Sequence, residues 1–256
     1  MQRSDPEKSV DWAAWLASWD RQQEHLLPDR EERIAAIFDV IEATIGPPQR
    51  VLDLASGPGS ITVRLLRRFP QAEATLVDVD PALLAIASGV FRNDRRVRIL
   101  RADLASQRWI DSLVAGGYDA AVTINSLHWL DEPTLRRVYS DLAGLVRPGG
   151  VVCNADPMPP EGLDRIIAAL GRWSHATRPP MPAGSLNWEE WWRAAADEPV
   201  LAPLVRQRME RFGGESHPPE FVPPMRWHVT ALQGAGFVEA GEVWRHGEGT
   251  IVAALR

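Results

Sequence analysis

The sequence predicts an α/β fold: a doubly wound, seven-stranded sheet, mostly parallel with its last strand antiparallel. A helical cap precedes it and a helical insertion interrupts it before the final strand pair. Three observations lead there. Five short apolar runs, RVLDLA (50–55), EATLVDV (73–79), RVRILRA (96–102), YDAAVTI (118–124) and GVVCNAD (150–156), alternate with helix-period stretches. That alternation implies right-handed crossovers and a parallel sheet covered on both faces. At the C-terminus, GFVEAGEVWRH and EGTIVAALR flank the tight turn Gly247-Glu248-Gly249, as an antiparallel pair requires. The 256 residues suffice for one such domain.

Taken in order, the chain opens on a helical pattern from Ser9. Trp12, Trp15, Leu16 and Trp19 recur at spacings of three and four, placing an aromatic stripe on one face. The stripe suits either a core contact or one wall of a ligand pocket. A second helix is expected near Pro28, where PDREER supplies a first-position proline and first-turn acids. Its apolar face is Ile34, Ile37, Phe38, Ile41 and Ile45, and it stops at Gly46-Pro47-Pro48. The five strand–helix units follow. Their clearest helix starts after Asp131, carries Leu135, Val138, Tyr139, Leu142, Leu145 and Val146 on one face, and stops at RPGG.

After Asp156 the rhythm breaks. Residues 161–177, SLNWEEWWRAAADEP and VLAPLVRQRMERF read as helices between the proline clusters DPMPPEG, TRPPMPAG and HPPEFVPP. A helix over 225–235 then leads into the last two strands. The organisation expected is one domain: cap 1–46, core 47–156, lid insertion 157–224, and final helix and strand pair 225–256.

Composition narrows the function. Hydrophobic residues are 45%, charged residues 24% and the net charge is −6, so no nucleic-acid footprint is expected. The single cysteine, Cys153, lies in an apolar run and reads as a buried, inert thiol. The first residues lack a signal-peptide core and no run is apolar enough to span a membrane, so a soluble, cytoplasmic protein is expected, monomer or homodimer. Eleven tryptophans against two tyrosines is lopsided.

Chemistry concentrates in QRVLDLASGPGSITVRLL, where a strand ends on Asp53 and Gly57 and Gly59 follow ahead of a helix. Such a turn lies at the carboxyl edge of a parallel sheet, where doubly wound folds bind ligands. Glycines there let a ligand touch backbone. A dinucleotide would want G-x-G-x-x-G, but Thr62 stands where the third glycine belongs. Asp53 would repel a pyrophosphate and suits a cationic ligand with an ammonium or sulfonium group.

VLDLASGPGS resembles the first motif of the class I S-adenosylmethionine (SAM)-dependent methyltransferases, D-x-G-x-G-x-G, with Ala55 where the family most often has glycine. The resemblance extends over 30–156 and implies a Rossmann-like fold and SAM as cofactor. It assigns Asp78, nineteen residues past Gly59, to the ribose hydroxyls and Asp103 of LRADL to the adenine amino group. Val79 and Leu104 would pack on the ring, and Asn125 joins the cofactor group. Asp80 reads as the cap of the next helix. INSLHWL departs from the N-P-P-Y of nucleic-acid and glutamine N-methyltransferases. SLHWLDE with DLAGLVRPGGVV is similar instead to bacterial small-molecule methyltransferases.

In-line displacement at a sulfonium needs alignment and exclusion of water, and a base only where the acceptor keeps its proton. His128, after the fourth strand, is the leading base candidate and Asp156 the second. Arg30, on the buried stripe of its helix, suits either pairing with the methionine carboxylate or snorkelling to solvent. Trp15, Trp19, Trp129, Trp188 and Trp192 are the candidate substrate-binding aromatics. No metal-ligand spacing is present. The expected reaction is methyl transfer to a small, hydrophobic or aromatic metabolite of specialised metabolism, an O- or C-acceptor being preferred. A protein-modifying enzyme and a non-catalytic SAM-binding protein are the alternatives. An enclosed aromatic cavity favours the first, a shallow groove the second, and an occluded pocket the third.

Overall fold

The computed structural model describes residues 10–213 and 220–256. The strands are β1 (Arg50–Leu54), β2 (Glu73–Asp78), β3 (Val97–Arg101), β4 (Tyr118–Ile124), β5 (Val146–Pro157), β6 (Glu239–His246) and β7 (Gly249–Leu255). They form one sheet in the order β3-β2-β1-β4-β5-β7-β6. β1 to β5 pair in parallel, and β7 runs antiparallel to both β5 and β6. The order reverses between β1 and β4, and that switch point opens a crevice beyond their carboxyl ends.

Alternating side chains divide the core into two layers. Leu52 and Leu54 of β1 face Tyr139 and Leu142 of α5 (Glu132–Leu145) and Leu232 of α9 (Met225–Gly234). Val51 faces the other way, toward Ile37 and Ile41 of α2 (Arg30–Ile45) and Leu65 of α3 (Ser60–Arg68). Cys153 lies in this second layer, fully buried, and desolvation pushes its thiol up to about 12.

A third cluster has no strand in it. Trp12, Leu16 and Trp19 of α1 (Trp12–Leu26) meet Leu83 and Ile86 of α4 (Pro81–Val90). Trp191 and Ala195 of α7 (Trp188–Asp197) and Leu201 and Val205, at and within α8 (Ala202–Phe212), complete it. The aromatic stripe is therefore core, and it joins cap to insertion. Gly89 permits the approach of α1 to α4: a Cβ there would lie 2.1 Å from the Trp12 ring. The other insertion helix, α6 (Asp164–Thr177), buries none of its residues and leaves Ile166 and Trp173 exposed.

Local expectations shift in three places. Asp29, not Pro28, is the residue that precedes α2, so the proline sits outside the helix. The crossover from β3 to β4 contains turns rather than an α-helix, because RADLASQRWIDSLVAGG places Asp, Ser and Gly at close intervals. α5 ends at Leu145 and runs straight into β5, so RPGG lies inside the strand rather than after the helix. Ser9 and part of HPPEFVPP lie outside the described residues. Among the described residues no helix is long and apolar enough to cross a membrane, and no cluster of His, Cys, Asp and Glu could hold a metal ion.

Candidate active site

At the switch point lies a cavity of about 540 Å³. Its floor is the β1–α3 turn. Ala55, Gly57 and Gly59 all take positive φ, at 49°, 54° and 87°. Glycine is required at position 59, where a Cβ would meet the Phe91 ring at 2.5 Å as well as the left-handed backbone. Ala55 holds a conformation that its Cβ disfavours, a strain not visible from its size alone. Asn125, at φ 51°, forms the matching bend after β4. Ala55, Gly57 and Asn125 line the cavity.

The acids sit at the strand ends. Asp78 is buried, its Oδ2 accepting from the Gly57 amide (2.7 Å) and its Oδ1 from that of Asp80 (2.8 Å). Burial, with Asp80 nearby, pushes its carboxyl up to about 6. Asp80 caps α4 as expected, accepting from Ala82 and Leu83 amides. Asp103 accepts from the Ala105 amide (2.9 Å) and from Arg211. Asp78, Val79, Asp103 and Leu104 all line the cavity.

Asp53 does not line it. The carboxyl lies beneath the turn, 1% exposed, with Thr62 Oγ1 donating to Oδ2 at 2.7 Å and Oδ1 without a partner among the described residues. Desolvation raises it to about 7, against the Thr62 bond. This explains the threonine where a dinucleotide site would have its third glycine: the hydroxyl serves the buried acid.

Arg30 also lines the cavity, 4% exposed, and pairs with Asp20 at 3.1 Å. Asp20 also accepts from Ser60 Oγ (2.6 Å) and Arg64 (2.9 Å), so the cap helix is tied to the first turn of α3. Burial pushes the Arg30 guanidinium below its ordinary value, and Asp20 opposes the shift. Sequence periodicity marked Arg30 but gave no sign of Asp20, Ser60 or Arg64.

His128 sits in a single 3₁₀ turn, Leu127–Trp129, with Nδ1 2.7 Å from Asp156 Oδ1 and its ring against Trp129. Asp156 also accepts from the Ser126 and Leu127 amides, at 3.0 and 3.1 Å. One carboxylate thus fastens the whole turn. His128 and Asp156 are buried behind the cavity wall, whereas Ser126 and Trp129 form part of it. His228 is a core residue, bonded to Tyr139 (2.7 Å) and lowered to about 4 by burial. His175 and His246 are exposed.

Of the candidate aromatics, Trp19, Trp129 and Trp188 line the cavity. Trp15 and Trp192 do not; both pack on Trp191, at 5.4 and 4.9 Å between ring centroids. Trp191 is fully buried and donates from Nε1 to Ser18 (2.9 Å), which makes it the anchor of the insertion. Arg208, Arg211 and Phe212 of α8 complete the wall.

These residues fit the cofactor that the resemblance implies. Ser56 lines the cavity with its buried Oγ unpartnered among the described residues, and the turn presents backbone rather than side chains. The carboxylates of Asp78 and Asp103 and the guanidinium of Arg30 line the same space. Comparison with known proteins agrees. A family model described as a methyltransferase domain matches residues 51–150. A trans-aconitate 2-methyltransferase from Methylobacterium radiotolerans is 30% identical over 199 residues, covering 75% of this chain and 70% of that protein. The chain spans 60–66% of the length of four other curated relatives. An O-methyltransferase family protein from Burkholderia thailandensis superposes with a TM-score of 0.56 at 22% identity, over 98% of this chain and 71% of that one. Human N-acetylserotonin methyltransferase in complex with SAM gives 0.54 at 13% identity, over 93% and 56%. At these identities the two structures show the shared fold.

Proposed function

This chain belongs to the class I SAM-dependent methyltransferases, and from that premise we propose that it methylates a small, largely apolar or aromatic metabolite at an oxygen or carbon. The observation that carries the proposal is the cavity itself. Trp19, Trp129, Trp188 and Phe212 wall it beside the cofactor residues, and two of those rings, Trp188 and Phe212, come from the insertion. A peptide substrate would need an open groove.

Bound SAM supplies a methyl group already activated on a sulfonium. The chain's own part is to hold and exclude. Asp78 and Asp103 take the nucleoside, Arg30 the methionine carboxylate, and the β1–α3 turn the backbone contacts. The aromatic wall orients the acceptor and keeps water out. For an acceptor that keeps its proton, His128 is the candidate base, with Asp156 fixing its tautomer and ring plane; its place behind the wall counts against direct contact with the acceptor.

A second reading is a carboxylate acceptor. A carboxylate is ionised at neutral pH and needs no base, which suits a His128–Asp156 pair lying behind the wall. Arg30, Arg208 and Arg211 line the same cavity, and the relative from Methylobacterium is named for trans-aconitate.

The test uses SAM carrying an isotopically labelled methyl group, added to a small-molecule extract and to macromolecules with wild-type protein and with Asp78→Ala. Label entering the small-molecule fraction only with the wild type supports the proposal; label on macromolecules overturns it. With the acceptor identified, His128→Asn should cut kcat by about a hundredfold or more for a phenol or alcohol. An unchanged kcat would favour the carboxylate.

A further inference from the structure

Helix α8 belongs to the insertion, yet two of its arginines reach the acids at the nucleoside end. Arg208 pairs with Asp80 at 2.7 Å. Its guanidinium lies 4.0 Å from the Trp192 ring centroid and 5.2 Å from that of Phe212. Arg211, one turn on, donates to Asp103 Oδ2. Asp80 follows the end of β2 and Asp103 the end of β3, the strands that carry the assigned ribose and adenine ligands. Both arginines and both acids line the cavity.

The two pairs are unequal. The Arg208 and Asp80 side chains are 16% and 6% exposed, and the cation also rests on aromatic faces. Those of Arg211 and Asp103 are 39% and 32% exposed, within reach of solvent and salt. The first is the more sheltered fastening, joining α8 to the N-terminus of α4, and the second is the more exposed.

We propose that Arg211 and Asp103 form the latch of a cofactor-retaining lid: α8, fixed at Arg208, covers the nucleoside end, and this pair opens for cofactor exchange. The inference rests on the proposed assignment of Asp78 and Asp103 to the nucleoside. It makes Arg211 a positioning residue for cofactor binding, acting through Asp103 and the lid rather than on the reacting atoms. It also makes product release, rather than methyl transfer, the step most sensitive to ionic strength.

The experiment measures dissociation of S-adenosylhomocysteine by stopped-flow chase, read from tryptophan fluorescence. Wild type, Arg211→Gln and Arg211→Lys are compared at low and high salt. Arg211→Gln should release product about fivefold faster, the factor expected for one partly exposed ion pair. Salt should speed the wild type toward the variant's rate and leave the variant unmoved, with Arg211→Lys between them. A matching thermal midpoint for Arg211→Gln shows that the fold is intact. Equal release rates for wild type and Arg211→Gln, or slower release from the variant, overturn the latch alone. Wild-type protein that binds no S-adenosylhomocysteine overturns the cofactor reading and the latch with it.

Discussion

Asp78→Asn separates what this carboxylate does for the fold from what it does for the cofactor. In the folded protein the group is 8% exposed, and burial raises it from 3.8 to about 6. For an acid, a raised folded value means that ionisation opposes folding. The cost is absent below pH about 4, grows to about pH 6, and is complete above it, where it amounts to about 3 kcal/mol. Asparagine removes that cost. It also leaves one of the two amides, Gly57 or Asp80, facing an NH₂ donor, a loss of about 1–3 kcal/mol. The two effects oppose each other, so stability at pH 7 should lie between that of wild type and about 2 kcal/mol above it by urea denaturation. Cofactor binding has no such offset. Two hydroxyls lose a charged acceptor, and affinity for S-adenosylhomocysteine should fall about a hundredfold by calorimetry, or about 3 kcal/mol. In wild type the affinity should also weaken as pH drops below about 6 and Asp78 takes up a proton, while the variant's affinity varies less. Wild-type stability should decline between pH 4 and 6 more steeply than the variant's, whose remaining slope combines Asp53 and Asp80, both raised, with the opposing slope of His228, which is lowered. A variant that loses 3 kcal/mol or more of stability, or binds the product as tightly as wild type, refutes the assignment.

Three further outcomes follow from single residues. Ala55→Gly removes a β-carbon from a φ of 49° and should raise stability by up to about 1 kcal/mol, backbone entropy taking back part of the gain. Ala55→Val should instead lose more than about 1 kcal/mol in the same thermal melt. Trp191→Ala empties a fully buried site at a cost of about 3–5 kcal/mol, concentrated in the cap–insertion contact. Limited proteolysis should then cut within α7 and α8 while β1 to β5 stay protected. Cys153 should not react with a thiol reagent at pH 8 in the native protein and should react fully in denaturant, since burial holds its thiol protonated up to about pH 12.

The sheet edge was legible because its signals are local. A strand end, a glycine turn and a helix cap each occupy a few consecutive residues, so the turn at Gly57 and Gly59, the strand end at Asp78 and the cap at Asp80 form where the sequence puts them, although Gly59 does not line the cavity. Asp53 shows the limit. Its position in the motif is local, but whether it faces the cavity depends on the hydroxyl of Thr62 on the next helix, and the structure turns it to that hydroxyl. The crossover from β3 to β4 fails for a related reason: alternation is a statement about the average unit, and this one is built of turns.

The cap and the insertion are where sequence reasoning ran short, and their composition explains why. Trp12, Trp15 and Trp19 recur at helical spacing, as do Trp188, Trp191 and Trp192, but nothing in either stretch says that the two face each other. Trp19 lies 5.0 Å from Trp191 and 5.8 Å from Trp188, centroid to centroid. Five of the eleven tryptophans, Trp15, Trp19, Trp188, Trp191 and Trp192, meet in this one interhelical contact, where large rings with few rotamers fill the space at low entropic cost. The same contact supplies Trp19 and Trp188 to the cavity wall, so the rings that hold the insertion down also shape the acceptor's space. Substitutions there should move stability and acceptor preference together. Substituting the acids of the sheet edge should move cofactor affinity and leave acceptor preference unchanged.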